Sequence, residues 1–205
     1  MKHVLMLTAA AAALALAACN KPADKTATDT AADASQTAAA ATNATQDAVG
    51  AAVGQTSAAT VGSHDTAAFV SNASQSDMYE IEAAKIAQSR SKNAAVTGFA
   101  KQMVTDHTAM MNAMKPLAVA AGQTPAAKLD ERRQGFIDNL KSASAADFDK
   151  TYIDQQVAAH SEALTLMQGY ADGGPDAGLK GGAAKAIPMV QSHLDKAKAI
   201  QATLK

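Results

Sequence analysis

Three histidines, His107, His160 and His193, stand mid-way along three different stretches patterned as helices. Each lies on an apolar stripe. His107 shares its stripe with Met103, Met110 and Met114. His160 follows Ile153 and Val157 and precedes Leu164 and Met167, and His193 falls between Met189 and Ala197. Glu80 holds the matching place in a fourth stretch, on the face of Phe69, Ala73, Ala84 and Ala87. Central positions bring all four to one level of a bundle whichever way its helices are connected. One Glu and three His form a plausible ligand set for a single divalent metal such as Zn or Fe. The same groups can instead hydrogen-bond one another and fix helix register without a metal. That buried His/Glu network is the leading expectation, with metal binding or a metalloenzyme as the alternative.

Two more specific metal readings can be weighed against the residues. A bundle di-iron centre takes Glu from two helices and Glu-x-x-His from the other two. Here Val104 stands three residues before His107 and Val190 three before His193. The bridging carboxylates are missing, and a di-iron centre is not expected. The methionine ridge beside His107, with Met111 adjacent, would suit Cu(I) through thioether and imidazole. Methionine is also a flexible core filler where aromatics are scarce. Asp106 is expected on the flank of its helix, as a salt bridge or an outer partner of the cluster. Tyr79 and Tyr152 are candidate further partners of the cluster, although the usual role of such residues is half-buried packing with a wet hydroxyl.

No nucleophile–base arrangement, phosphate loop or dinucleotide fingerprint is present, and no catalytic or cofactor-binding residue is assigned. Gly50 to Gly54 and Gly178 to Gly182 lack the strand context that such motifs need. Lys and Arg number 18 against 19 Asp and Glu, for a net charge of −1, so no basic patch argues for nucleic acid. Aromatics are 3 % of the chain and Trp is absent, so the core must be thin and its helices close.

The elements that carry these residues read as helices throughout. Asp65 caps a first helix over about 66–91, and Asn93 a second that runs towards 121, kinked or ended early by Pro116. A short helix covers 129–141. Ser144 to Asp147 resembles a capping box and opens a long helix to about 171. After Asp172-Gly-Gly-Pro175 a last helix covers about 176–204, interrupted by Pro188. Four long helices in two pairs, with a short extra helix between the pairs, predict an all-α four-helix bundle over residues 63–205. Its middle connection serves either as a crossover or as a simple return.

The amino-terminal part is a different regime. A basic start and a short apolar run lead to Leu16-Ala17-Ala18-Cys19, which resembles a bacterial lipobox. Residues 1–18 are then a lipoprotein signal peptide, and Cys19, the only cysteine, becomes the acylated amino terminus. The expected partner is a lipid membrane, and the expected place is the cell envelope. Asn20 rather than Asp after the cysteine favours the outer membrane, facing the periplasm, in a Gram-negative cell. Residues 19–62 hold only Val49, Val53 and Val61 as larger apolar residues beyond Pro22. They read as a lipidated, disordered linker.

Several runs carry a family resemblance: Tyr79-Glu-Ile-Glu82, Phe99-Ala-Lys-Gln-Met-Val-Thr-Asp-His107, Phe148-Asp-Lys-Thr-Tyr-Ile153, Ala159-His160 and Ile187-Pro-Met-Val-Gln-Ser-His193. In order and spacing they resemble DUF4142, a bacterial family of exported, ferritin-like helical proteins without an established activity. The resemblance covers about residues 65–204. It implies a ferritin-like bundle and a cell-envelope location. It supplies no reaction. The function expected for the whole chain is that of a non-enzymatic envelope or stress-related protein, with metal binding as the alternative.

Overall fold

The computed structural model describes residues 25–204. The expected signal peptide, Cys19 and the start of the expected linker lie outside the described residues. Seven helices follow in order: α1 (Lys25–Ala59), α2 (Val61–His64), α3 (Thr66–Arg90), α4 (Ala94–Ala120), α5 (Glu131–Ser142), α6 (Phe148–Gly173) and α7 (Ala177–Gln201). No strand occurs among the described residues. None of these helices is long and apolar enough to cross a membrane. The first residues of α1, up to Ser35, form a unit of their own, and the compact unit begins at Gln36.

Side-chain caps set most of the long helices. Asp65 accepts from the Ala68 N–H at 2.7 Å, Asn93 from Ala95 at 2.9 Å, Asp130 from Arg133 at 2.7 Å and Asp176 from Leu179 at 2.8 Å. The box at Ser144 closes on itself, with Ser144 Oγ donating to Asp147 Oδ2, and α6 starts only at Phe148. Neither internal proline ends its helix. Each removes one backbone donor, and α4 and α7 continue through Pro116 and Pro188.

α3 and α4 pack as one antiparallel pair and α6 and α7 as another, with α3 beside α6 and α4 beside α7. The connection between the pairs is a crossover. Ala126 N–H donates to Ser74 Oγ near the start of α3, whereas Arg90 at its end donates to the carbonyls of Leu140, Lys141 and Ala143. The chain therefore travels the length of the bundle between α4 and α6. At the far end Tyr170 stacks on Phe69 at 3.8 Å between ring centroids. The result is a ferritin-like arrangement with a single crossover, in which every neighbouring pair is antiparallel.

The ordered body is longer than the sequence pattern indicates. Residues read as part of a disordered linker form the second half of α1, which lies against α5 and α6. Asn139 and Gln155 donate to the two oxygens of Asp47 at 2.8 and 2.7 Å, Asn43 donates to Ser142 at 3.0 Å, and Gln55 to Thr165 at 2.5 Å. Few apolar side chains are needed, because glycine lets the backbone come close. A Cβ on Gly50 would stand 2.7 Å from the Phe136 ring, and one on Gly54 would collide with Glu162 and Arg132. Gly50 to Gly54 thus works as a contact ridge and needs no strand.

Two apolar clusters fill the bundle. One gathers Phe99, Met103, Ile137, Leu140, Tyr152 and Ile153 at the end where α3 meets α4. The other gathers Phe69, Met110, Met114, Leu166, Tyr170 and Leu179 at the opposite end. The methionines flanking His107 divide between the clusters, as packing side chains. His107, Asp77, Glu80, His160 and His193 are buried between the two clusters.

Candidate metal centre

His107 on α4, His160 on α6 and His193 on α7 are each about 1 % exposed. Their rings form a near-equilateral triangle, with centroid separations of 5.5, 5.5 and 5.4 Å. One ligand atom from each lies within 4.8 Å of the other two. The edge of the Phe99 ring lies against this triangle from the side of the first cluster.

The outward nitrogens explain how the rings are held. His107 Nδ1 is 2.9 Å from Asp77 Oδ1, His160 Nδ1 is 2.9 Å from the Gln156 carbonyl oxygen, and His193 Nε2 is 2.9 Å from Asp106 Oδ2. A carbonyl or carboxylate oxygen accepts, so each of these nitrogens carries the ring's proton. A neutral imidazole then has one bare nitrogen left. For His107 and His160 it is Nε2, and these two atoms face each other at 3.4 Å. For His193 it is Nδ1, which is buried and has no hydrogen-bond partner among the described residues.

Local charge follows from burial. Desolvation pulls His107 down, but the hydrogen bond it donates to Asp77 and the charges of Glu80, Asp77 and Asp106 outweigh it and hold the ring above its ordinary value. His160 is pushed well below, by burial first and then by the charges of His107 and His193. His193 is lowered, chiefly by burial, against the pull of Asp106. Burial also raises Glu80 to about 7 and raises Asp77, although the hydrogen bond with His107 works the other way on Asp77.

Glu80 does not join the three imidazoles at their meeting point. Its Oε1 lies 3.7 Å from Nδ1 of His160, the nitrogen already given to Gln156, and its Oε2 is buried without a partner. Two residues outside the expected set hold the rings in place. Asp77, one turn before Glu80, takes His107, and the Gln156 carbonyl takes His160. Asp106 is indeed an outer partner, but of His193 across the helix pair rather than of its neighbour His107. Tyr79 and Tyr152 are fully buried instead of half-wet. Tyr79 donates to Gln155 Oε1 at 3.0 Å, and the Tyr152 hydroxyl has no partner among the described residues.

Comparison with known families places residues 51–200 in DUF4142, a domain of unknown function, and the chain belongs to that family. No curated protein and no solved structure matches it.

Proposed function

We propose that this protein binds one first-row divalent metal ion, with Zn²⁺ the best fit, through His107 Nε2, His160 Nε2 and His193 Nδ1. The observation that carries the reading is that the bare Nε2 atoms of His107 and His160 face each other, with a His193 nitrogen within 4.8 Å of a ligand atom of each, while each ring's other nitrogen is held by an oxygen and His193 Nδ1 is buried without a partner. Ligating histidines are characteristically held in this way, their second ring N–H given to a carboxylate or backbone carbonyl. A tetrahedral ion about 2.0–2.1 Å from each nitrogen separates its ligands by about 3.3 Å. The two facing Nε2 atoms are 3.4 Å apart.

A metal-free network accounts for less. One added proton on His107 can bridge two of the nitrogens, making an ion pair with Asp77. It leaves His193 Nδ1 unsatisfied, and an orphaned buried polar atom costs about 1–3 kcal/mol. An ion satisfies all three nitrogens together. Its charge is balanced by Asp77 and Asp106, which reach it through the imidazoles. The set is all nitrogen and neutral, as Zn²⁺ and similar borderline ions prefer. Three protein ligands also leave a fourth position for a small exogenous ligand.

The proposed setting is the cell envelope, with the chain held to a lipid membrane by acylated Cys19. The Leu16-Ala17-Ala18-Cys19 run supports this, and Asn20 favours the outer membrane. The proposed role is binding of the ion, and no reaction is assigned to it. The test is metal content by mass spectrometry of untagged protein purified without chelator, together with Zn²⁺ uptake by the stripped protein. One ion per chain, lost in His160→Ala, is the expected result. Protein that carries no metal and takes up none when offered Zn²⁺, Fe²⁺ or Cu⁺ overturns the reading.

A further inference from the structure

A triad only about 1 % exposed needs a way in. A cleft of about 340 Å³ runs between α3, α4 and the crossover, lined by Val70, Ser74, Asp77, Met111, Met114 and Lys115 among others. Asp77 belongs both to the cleft wall and to the triad, because its Oδ1 holds His107 Nδ1. The crossover closes over the cleft at Thr124 to Ala127 and is pinned there by the Ala126–Ser74 hydrogen bond.

We propose that this cleft is the port through which the metal ion reaches the triad, an inference that rests on the metal-binding reading above. The wall carries the donors a migrating borderline ion can use in passing. Two thioethers, Met111 and Met114, line it, with the Ser74 hydroxyl beside them and the Asp77 carboxylate on its wall. The ion meets Asp77 before it meets a bare ring nitrogen. Entry then requires His107 to release Asp77 and swing, so the 2.9 Å hydrogen bond between them is the latch of the port. Lys115, exposed and cleft-lining, is the cation that an incoming ion must pass.

The competing route is the opposite edge of the layer, at Asp106, whose side chain is 30 % exposed while it holds His193. Lys196, which donates to Gln102, is the exposed cation near that edge, and its charge bears on His193. The two lysines let one experiment separate the routes. Co²⁺ is mixed with stripped full-length protein in a stopped-flow instrument, and the ligand-field band of the bound ion is followed for wild type, Lys115→Glu and Lys196→Glu.

Charge reversal at the mouth of the true route raises the association rate roughly two- to tenfold at low salt, an advantage that fades by about 0.5 M salt. We expect this for Lys115→Glu and no change for Lys196→Glu. Thr124→Trp, which adds bulk to the crossover away from the core, should slow loading without moving the equilibrium midpoint. Acceleration by Lys196→Glu alone, or an unchanged rate in both Lys115→Glu and Thr124→Trp, overturns the port. Either result leaves the metal site standing, whereas a wild type that takes up no Co²⁺ removes both.

Discussion

Replacing His107 and His193 in turn separates a metal site from a polar network, because the two rings leave very different partners behind. His107→Ala strands Asp77, whose side chain is 2 % exposed. Breaking a buried pair by removing one partner costs about 3–5 kcal/mol. At roughly 2–4 °C per kcal/mol for a chain of this size, the stripped protein should lose about 6–20 °C of melting temperature. His193→Ala leaves Asp106, which is 30 % exposed and can turn to water. It also removes the orphaned Nδ1, so its cost in the stripped protein should be smaller, about 1–2 kcal/mol. Metal should act equally on the two variants. Zn²⁺ at a hundred times its dissociation constant adds about 2.7 kcal/mol to the wild type, or roughly 5–11 °C. Both variants should forfeit that gain in full, since each lacks one of three ligands. The assay is a thermal melt of stripped wild type, His107→Ala and His193→Ala, each with and without Zn²⁺. If His193→Ala keeps the whole Zn²⁺ increment, its Nδ1 is not a ligand and the triad is wrong. If no form gains from Zn²⁺ while His107→Ala is still destabilised, the layer is a polar network.

Three more predictions bear on other parts of the chain. Zn²⁺ affinity should fall as pH drops, by up to about tenfold per unit for each proton displaced, because ligand nitrogens must be bare and the metal-free His107 is held above its ordinary value; calorimetry in buffers of different ionisation enthalpy should register net proton release on binding. Gly54→Leu should drive α1 off Glu162 and Arg132, so that limited proteolysis cuts between residues 43 and 59 while the α3–α7 bundle keeps its far-UV spectrum; an uncut α1 would contradict the glycine contact. Cys19→Ser should abolish acyl labelling and release the protein from membranes, and a variant that still partitions into detergent with label attached would remove the lipid anchor.

Much of the bundle was legible because its breaks are local chemistry. Asp65 and Asn93 announce their helices as caps, and Gly173-Gly174-Pro175 breaks the chain between α6 and α7. The crossover was not legible, because the 122–145 segment can return or traverse with the same residues. The contacts at its two ends, Ala126 with Ser74 and Arg90 with Leu140, decide it. The docked half of α1 was hidden for a related reason. Burial arguments look for large apolar residues, whereas this contact is made by the absence of side chains at Gly50 and Gly54 and by polar partners 92 to 110 residues away.

At the site, stripe position was enough to single out the three histidines but not to choose between Glu80 and Asp77. These two residues lie about 60° apart around α3 at 100° per residue. A modest rotation of the helix decides which carboxylate meets an imidazole. The pairing of Asp106 with His193 is likewise a matter of which faces of α4 and α7 meet. That is a property of packing, and no window of one helix contains it.

The bundle has the ferritin-like arrangement while its carboxylates sit in a different place. In a di-iron bundle, acidic residues reach inward and bridge two ions. Here the residue three before each histidine is a valine: Val104, Val157 and Val190. Val190 is fully buried, and the other two pack against the first apolar cluster. Oxygen ligands for a second ion are therefore replaced by hydrocarbon at those positions. The two acids paired with imidazoles, Asp77 and Asp106, have moved outward by one side chain and bond the far nitrogens. On the metal-binding proposal, that arrangement would suit a single ion with nitrogen ligands in place of two hard-ligated ones. It also fixes which variant would test the logic in reverse. Val104→Glu places a carboxylate one turn from His107, on the same helix. If the valines are what limit the site to one ion, this variant should raise metal stoichiometry or, failing that, shift preference from Zn²⁺ towards Fe²⁺. A variant that folds and binds with unchanged stoichiometry and preference would show that Val104 does not set the limit.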